Sequence, residues 1–259
     1  MKTLSISGLS KTFVDRQGRT VEALAGFDLD VAAGEFITIV GPSGCGKTTM
    51  LRIVQGLEER TAGSVKIDGR EITGPGPERG FVFQQYGLLP WLTAARNIAF
   101  ALDARRVPKA EQKERIRTAL ETVGLAAFAD HYPRQMSGGM QQRIGIARAL
   151  AVDPAILLLD EPFGALDALT REILQNEMLA LSERMAKTIM FVTHSIDEAI
   201  MLADRVVVMS ARPGRIATII DIDIPRPRAG RGEEIRESPA FAHHRRQLWE
   251  HLMAREVAA

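Results

Sequence analysis

The chain of 259 residues carries 33 Lys and Arg against 32 Asp and Glu, a formal net charge of +1. This balance gives no support to a protein that binds nucleic acid through overall positive charge. Its one cysteine, Cys45, excludes an intrachain disulfide framework and is typical of a reducing compartment. No segment reaches the ~18–20 apolar residues of a membrane-spanning helix, and the N-terminus lacks the apolar core of a signal peptide. We therefore expect a cytosolic protein, free to dock onto a membrane protein.

Strand patterns dominate the first hundred residues. Short apolar runs bounded by turn residues predict strands at 27–31, 36–40, 64–69 and 79–85. Gly34-Glu35, which separates the first two runs, has the composition of a hairpin turn.

Helices replace strands between residues 92 and 152, where three helical patterns follow one another. Apolar runs at 155–162, 188–194 and 205–210 then alternate with helical segments, which predicts a parallel α/β sheet. The helical block, at about 88–150, interrupts this sheet as a subdomain. We predict one domain over residues 1–224, and at 225–259 a polar linker with a C-terminal helical tail.

A glycine-rich loop joins the strand at 36–40 to a helix. Residues Gly41 to Thr48 match G-x-x-x-x-G-K-[ST], a pattern whose backbone N–H groups wrap around phosphate oxygens. Lys47 would supply a cation for the β- and γ-phosphates, and the Thr48 hydroxyl would coordinate Mg²⁺. The loop predicts nucleotide binding by Gly41, Pro42, Ser43, Gly44, Cys45, Gly46, Lys47, Thr48 and Thr49.

Cys45 lies within this loop, close to a helix N-terminus and a lysine, where the pKa of a thiol can be lowered. The loop offers no base for a catalytic cysteine. We expect alkylation of Cys45 to block nucleotide binding sterically, and bound nucleotide to protect the thiol.

Polar residues end three of the predicted strands. Asp160 and Glu161 follow a buried apolar run. Adjacent side chains on a strand point in different directions, so the two carboxylates should have different roles. We expect Asp160 to hold Mg²⁺ through water and Glu161 to polarise the attacking water. His194 and Gln84 end two other strands, and the carboxyl ends of parallel strands are where ligands bind. Taken singly, the two carboxylates could cap a buried strand, His194 could be structural and Gln84 a surface residue.

A second glycine-rich turn, MSGGMQQR, occupies residues 136–143. Ser137 is a good N-cap residue, and the N–H groups that follow it attract an anion. By itself this turn could be an ordinary helix cap. Its presence about ninety positions after the first glycine loop raises the question of why one domain would carry two glycine-rich anion sites.

These motifs together resemble the nucleotide-binding subunit of an ABC transporter. The resemblance rests on GPSGCGKTT, Gln84 in VFQQ, MSGGMQQR, ILLLDEP, GALD at 164–167 and His194, in the family's order over residues 1 to about 220. It implies a P-loop NTPase cassette of α/β class, with a mainly parallel core sheet, an N-terminal antiparallel β subdomain and an inserted α-helical subdomain.

The resemblance also implies roles for residues. Two cassettes, expected to be identical copies, pair head to tail, so that Ser137, Gly138, Gly139 and Met140 contact ATP bound by the partner, with Asp167 along the dimer seam. The implied catalytic residues are Glu161, His194 and Lys47; the implied metal-binding residues are Thr48, Gln84 and Asp160; Gln84 also joins the ATP site. Phe13 lies where the family stacks an aromatic ring on adenine, with plain core packing as the alternative. Met136 and Met140 depart from the family's usual leucine and glutamine.

Finer features resemble the importer ATPases of the nitrate, sulfonate, taurine and bicarbonate type. GLLPWLTAARNIAF follows Gln84, EPFGALDALTREILQ follows the acidic pair, and ARPGRI follows the strand at 205–210. This subgroup implies permease subunits in the membrane, a solute-binding protein as indirect partner, no nucleic acid, and a peripheral place on the cytoplasmic face of the inner membrane. The segment 84–91 would meet the permease through Tyr86, Leu88, Leu89 and Trp91, unless it packs internally. An exporter or lipid-trafficking ATPase, and a soluble ABC ATPase acting on nucleic acid, remain alternatives.

Overall fold

The computed structural model describes residues 1–164, 166–185 and 187–256, with the backbone alone for 254–256. Its strands are β1 (Leu4–Val14), β2 (Thr20–Val31), β3 (Phe36–Val40), β4 (Ala62–Ile67), β5 (Arg70–Glu71), β6 (Arg79–Val82), β7 (Ile156–Asp160), β8 (Thr188–Val192), β9 (Arg205–Met209) and β10 (Ile216–Asp221). Its helices are α1 (Lys47–Gln55), α2 (Ala94–Ala104), α3 (Lys109–Thr122), α4 (Gly138–Ala151), α5 (Ala168–Arg184), α6 (Ile196–Leu202), α7 (Gly232–Arg236) and α8 (Pro239–Glu256). Over these ranges, no helix combines the length and apolar character needed to cross a membrane.

The N-terminal sheet is antiparallel and has the strand order β2-β1-β4-β5. The predicted hairpin at Gly34-Glu35 is wrong. β2 belongs to this sheet, whereas β3 belongs to the other sheet, so the turn carries the chain from one sheet to the next. Gly34 adopts a φ of 84°, which suits a sharp change of direction, and its N–H donates to the Thr188 hydroxyl at 3.0 Å.

The core sheet has six strands in the order β10-β9-β3-β8-β7-β6, all parallel except the β10–β9 pair. Successive residues of its central strands face opposite sides, as the period of two in a strand requires. Leu157 and Leu159 of β7 join the core on one face, while Ile156 and Leu158 join the core on the other. The uninterrupted apolar runs of the sequence therefore mark strands that are covered on both faces.

The register of the core sheet brings four strand ends to one edge. Ile39 of β3 lies opposite Val192 of β8, and Val192 lies opposite Asp160 of β7. Val82 of β6 lies opposite Leu159. The loops that follow β3, β6, β7 and β8 therefore emerge side by side, as the sequence predicted for the polar residues that follow these strands.

Helices α2, α3 and α4 form the helical insertion between β6 and β7, with α2 and α3 both packed against α4. Thr93 and Ser137 begin α2 and α4 as N-caps, each accepting a hydrogen bond at 3.3 Å from the backbone three residues on. The helical patterns of the sequence predicted these helices, and their apolar residues merge with the core on one face of the sheet.

The segment after β10 is not a loose polar linker. The side chain of Arg228 is 1% exposed and donates to the carbonyls at the end of α6, among them Ala203 at 2.7 Å and Met201 at 3.2 Å. Burial lowers the pKa of Arg228 to about 10. Helix α8 packs against α6, and the buried His244 contacts Asp223. Whether residues 225–259 form a separate unit stays a prediction.

Candidate nucleotide site

The phosphate loop runs from the end of β3 to the start of α1. Gly44 and Gly46 have φ values of 75° and 100°, a left-handed conformation that glycine adopts without strain. A Cβ on Gly46 would lie 2.8 Å from the carbonyl oxygen of Ala23, so a larger residue would collide with β2. No side chain in the described residues caps the N-terminus of α1. Its first N–H groups thus stay available to an anion.

Lys47 is 4% exposed, and its ammonium group lies within the curve of the loop. Nζ donates to the carbonyl oxygens of Gly41 at 2.8 Å and Pro42 at 2.9 Å. These bonds fold the side chain back over the loop, which places a compact positive charge where the glycine pattern predicts the phosphate groups.

Cys45 does not behave as the sequence suggested. Its side chain is 1% exposed and belongs to the apolar core beneath the loop, so only its backbone can face a phosphate. Burial raises the pKa of the thiol, although the Lys47 ammonium, 3.8 Å from Sγ, acts in the opposite direction. The prediction of a lowered pKa is therefore wrong, because desolvation outweighs the nearby charge.

Thr48 and Asp160 meet from two separate elements. The Thr48 hydroxyl donates to Asp160 Oδ1 at 2.9 Å, which joins the start of α1 to the end of β7. Burial raises the pKa of Asp160, and the hydrogen bond from Thr48 partly offsets this effect. A buried carboxylate of this kind is stabilised by a cation.

Glu161 joins the two other polar residues predicted at strand ends. Its Oε1 lies 2.5 Å from Nε2 of His194, and its Oε2 accepts a hydrogen bond from Nε2 of Gln84 at 3.0 Å. Glu161 also has a φ of 46°, a rare conformation for a residue with a side chain. Such backbone strain is typical of functional positions.

A buried network behind His194 was missed by sequence reasoning. Glu198, 5% exposed, accepts hydrogen bonds from the Thr193 hydroxyl at 2.5 Å and from Gln175 Nε2 at 3.1 Å. Thr193 Oγ1 also accepts from the backbone N–H of Ser195 at 3.0 Å, so the network fixes the backbone on both sides of His194. The one feature of the sequence that could have indicated this network is the carboxylate of Glu198, four residues after His194 on a predicted helical segment.

The wall of the site beyond the phosphate loop contains Phe13, Val21 and Arg212. Phe13 is 40% exposed, which rules out plain core packing, and Lys11 Nζ lies 4.7 Å from the centre of its ring. The pocket continues past Lys47 and Thr48 to Gln84, Glu161 and His194. Phe13 thus lines the same cleft as the paired Glu161 and His194.

The second glycine turn lies elsewhere. In the part of the chain that the structure describes, the cleft lining does not include Ser137, Gly138, Gly139 or Met140. Ser137 and Gly138 are exposed, whereas Gly139 is buried so closely that an added Cβ would lie 2.6 Å from Thr170 Cγ2. Met140 packs partly against the core, and its N–H still donates to Ser137 Oγ, so replacing the usual glutamine leaves the cap intact.

Asp167, predicted at a dimer seam, is exposed and begins α5 as its N-cap. Its Oδ1 accepts a hydrogen bond from the Thr170 N–H at 3.0 Å, and this backbone bond lowers the pKa of the carboxyl group. Asp167 therefore stays charged at the surface over the physiological range.

The segment 84–91 exposes less apolar surface than expected. Trp91 is 69% exposed, but Leu88 packs partly against the core, and Tyr86 and Leu89 are half-buried. Two exposed rings lie outside the predicted set, Phe83 at 38% and Phe100 at 53%. They fall within the quoted stretches VFQQ and GLLPWLTAARNIAF, but neither stretch shows by itself which of its apolar side chains are exposed.

Comparison with known proteins agrees with this geometry. The ABC transporter family profile matches residues 24–164. An uncharacterized ABC transporter ATP-binding protein of Methanocaldococcus jannaschii is 51% identical over 95% of this chain and 89% of its own. The aliphatic sulfonates import ATP-binding protein SsuB of Bacillus cereus is 47% identical, covering 91% of this chain and 92% of its own. The bicarbonate transport ATP-binding protein CmpC of Synechococcus elongatus is 48% identical over 87% of this chain, which spans 34% of CmpC.

A solved structure shares the fold. The dimeric post-hydrolysis state of the ATP-binding cassette MJ0796, bound to ADP and Pi, superimposes with a TM-score of 0.75 at 34% identity, covering 86% of this chain and all of that one. The phosphate loop and the acidic pair both lie within residues 24–164, which the family profile matches. The chain belongs to the ABC transporter family, as an ATP-binding subunit that hydrolyses ATP to drive transport.

Proposed function

We propose that this protein energises the uptake of a small anionic or organic solute, of the nitrate, sulfonate or bicarbonate class, through a membrane permease. The observation that carries the proposal is the similarity, over most of this chain, to ATP-binding subunits whose names state sulfonate import and bicarbonate transport. An ABC ATPase acting on nucleic acid would not be expected to share this similarity.

Hydrolysis would take place at the end of β7. Lys47 and the α1 N-terminus would hold the β- and γ-phosphates, and Glu161 would orient the water that attacks the γ-phosphorus and accept its proton. His194, in contact with the same carboxylate, would hold Glu161 in line and reach the γ-phosphate. The bond to the bridging oxygen then breaks, which leaves ADP and phosphate.

Magnesium fits the residues that the strands bring together. Thr48 and Asp160 offer a hydroxyl and a carboxylate in direct contact, and Gln84 Oε1 is not engaged by the contact with Glu161. These are hard oxygen ligands of the kind that Mg²⁺ prefers, and Mg²⁺ is usually held jointly with phosphates. When bound, it would neutralise charge on the β- and γ-phosphates. Consistent with shared coordination, no group of three His, Cys, Asp or Glu in the described residues could cage a metal.

A second cassette would complete the site. The exposed Ser137 turn lies outside the cleft of its own subunit, so a head-to-tail partner could place it over the γ-phosphate. Asp167, exposed and charged, would then lie along the seam between subunits. The dimeric arrangement of MJ0796 supports such pairing, and two identical copies of this chain are sufficient for it.

The segment 84–93 would transmit this pairing to the permease. Asn97, fully buried, accepts from the N–H of Leu89 at 2.8 Å and donates to the carbonyls of Leu89, Leu92 and Thr93. These bonds fix the shape of a loop that exposes Trp91.

Arg148 of α4 donates to the carbonyls of Tyr86 and Gly87 at 3.0 and 2.6 Å. The loop after Gln84 is therefore tied to the helix that begins at Ser137.

The exposed rings of Phe83, Trp91 and Phe100 suit an amphipathic helix of a permease, because such a helix presents a row of apolar side chains. Docking there would hold the ATPase at the cytoplasmic face of the inner membrane. The solute would be chosen by the permease and by a solute-binding protein, with no direct contact to this chain.

A pull-down tests the proposal. The tagged chain is incubated with detergent-solubilised membranes of its source, and bound proteins are identified by mass spectrometry. We expect a multi-span permease together with a solute-binding protein. Recovery of a permease without any solute-binding protein would favour an exporter. Recovery of nucleic-acid-associated proteins alone would contradict the proposal that this ATPase drives transport.

Two tryptophans offer a matched comparison for the docking surface. Trp91→Glu should abolish recovery of the permease while leaving ATP binding unchanged. Trp249→Glu alters a ring of similar exposure, 55%, on α8, and should leave recovery intact. Equal recovery with both variants would place the permease on another surface.

A further inference from the structure

The turn between β9 and β10 packs directly against the phosphate loop. Its Gly214 donates to the Ala23 carbonyl at 2.9 Å and accepts from the Ala25 N–H at 3.1 Å, which fixes the turn to β2. A Cβ on Gly214 would lie 2.0 Å from the carbonyl oxygen of Cys45. Glycine is therefore required for the close approach, and the ARPGRI segment has a defined place beside the nucleotide site.

Arg212 reaches from this turn to the rim of the cleft. Its Nε donates to the Gly44 carbonyl at 3.1 Å, and a Cβ on Gly44 would lie 3.0 Å from its Nη2. The side chain lines the same cleft as Ser43, Lys47 and Phe13.

The guanidinium of Arg212 has unused donors. Across the part of the chain that the structure describes, the bond to Gly44 is its one hydrogen bond and no carboxylate pairs with it. An arginine presents five N–H donors in a planar fork that matches phosphate oxygens. One edge is held by the loop itself, so the terminal nitrogens are positioned in advance at an anion-binding site.

We propose that Arg212 is a second cationic contact for the phosphate chain of the nucleotide, in addition to Lys47. Lys47 approaches from within the loop, whereas Arg212 approaches from its outer rim at Gly44. The inference rests on ATP binding by this chain and is independent of which solute is transported. It gives a function to ARPGRI, which the catalytic motifs leave unexplained.

Binding measurements on the purified protein test this proposal. Titration calorimetry would compare ATP, ADP and AMP with the wild type, Arg212→Ala and Arg212→Lys. We expect Arg212→Ala to weaken ATP and ADP binding about tenfold, the effect of a partly solvated charge-assisted contact. The affinity for AMP should fall less, because AMP offers fewer phosphate oxygens to the Arg212 side chain. Arg212→Lys keeps the positive charge but not the planar fork of donors, so its affinity for ATP and ADP should lie between those of the wild type and Arg212→Ala.

Two further variants make the result decisive. Arg215→Ala removes an exposed arginine of the same turn that does not line the cleft, and should bind ATP normally. Lys47→Ala should lose affinity whether or not Arg212 contributes. Normal ATP and ADP affinity in Arg212→Ala would overturn the proposal, as would an equal loss of affinity for ATP, ADP and AMP. If Lys47→Ala also bound normally, the phosphate-loop assignment itself would fail.

Discussion

Replacing Glu161 by glutamine should separate ATP binding from hydrolysis. Glutamine has nearly the same shape and keeps one acceptor oxygen, so either Gln84 or His194 retains its partner. One lost hydrogen bond is worth about 1 kcal/mol, which limits the change in ATP affinity to about fivefold. The positive φ of this residue should be tolerated equally, because both side chains branch only beyond Cγ.

The catalytic loss should be much larger. A neutral amide cannot accept the proton of the attacking water, and general-base catalysis contributes about 10² to 10⁴ in rate. At 1.36 kcal/mol for each factor of ten, the barrier rises by about 3 to 5 kcal/mol. Bound ATP would then persist, so the ATP-joined dimer should accumulate.

Phosphate release and gel filtration with Mg-ATP measure the two effects. We expect Glu161→Gln to bind ATP, elute as a dimer and release phosphate at 1% of the wild-type rate or less, a bound set by the lower end of about 10². Glu71→Gln, which alters a surface carboxylate paired with Arg60, serves as the matched control and should hydrolyse normally. Wild-type turnover in Glu161→Gln would refute the assignment of the base. Loss of ATP binding would mean that Glu161 shapes the pocket.

Four further outcomes are expected. Lys47→Ala should weaken ATP binding by at least about tenfold, since a charge-assisted phosphate contact is lost; unchanged affinity by calorimetry would contradict its role. Cys45 should react slowly with a maleimide with or without Mg-ATP, because the thiol is buried and its pKa is raised; fast labelling would contradict the packed loop. Arg228→Met should lower the free energy of unfolding by about 3 kcal/mol or more, because buried carbonyls lose their donor; a urea midpoint equal to that of the wild type would argue against this. Burial raises the pKa of Glu198, while the hydrogen bonds from Thr193 and Gln175 oppose this effect without cancelling it. The folded chain thus keeps this proton to higher pH than the unfolded chain, and stability is lost as pH rises through the folded pKa. Relative to Glu198→Gln, the wild type should therefore lose stability as the pH rises above the ordinary titration range of a glutamate, as measured by denaturation curves at a series of pH values; parallel curves would contradict the shift.

The sequence determined the fold class and the order of the chemistry along the chain. Apolar runs followed by polar residues identified the strands, and parallel strands necessarily end at one edge. The sequence could therefore predict that four side chains lie close together, those of Lys47, Asp160, Glu161 and His194. The glycine pattern was equally local, because a loop that wraps a phosphate needs those residues in consecutive positions.

The pairing of side chains from elements distant in sequence followed from packing alone. Packing turned Cys45 into the core, where desolvation reverses the expected shift in pKa. It buried Arg228 against α6, brought Glu198 behind the His194 loop and set Arg212 against Gly44. None of these contacts has a local pattern, since each depends on the packing of segments that periodicity describes separately. A sequence motif can be identified because its functional residues lie close together in the chain. Contacts between distant segments can be identified only once the packing of those segments is known.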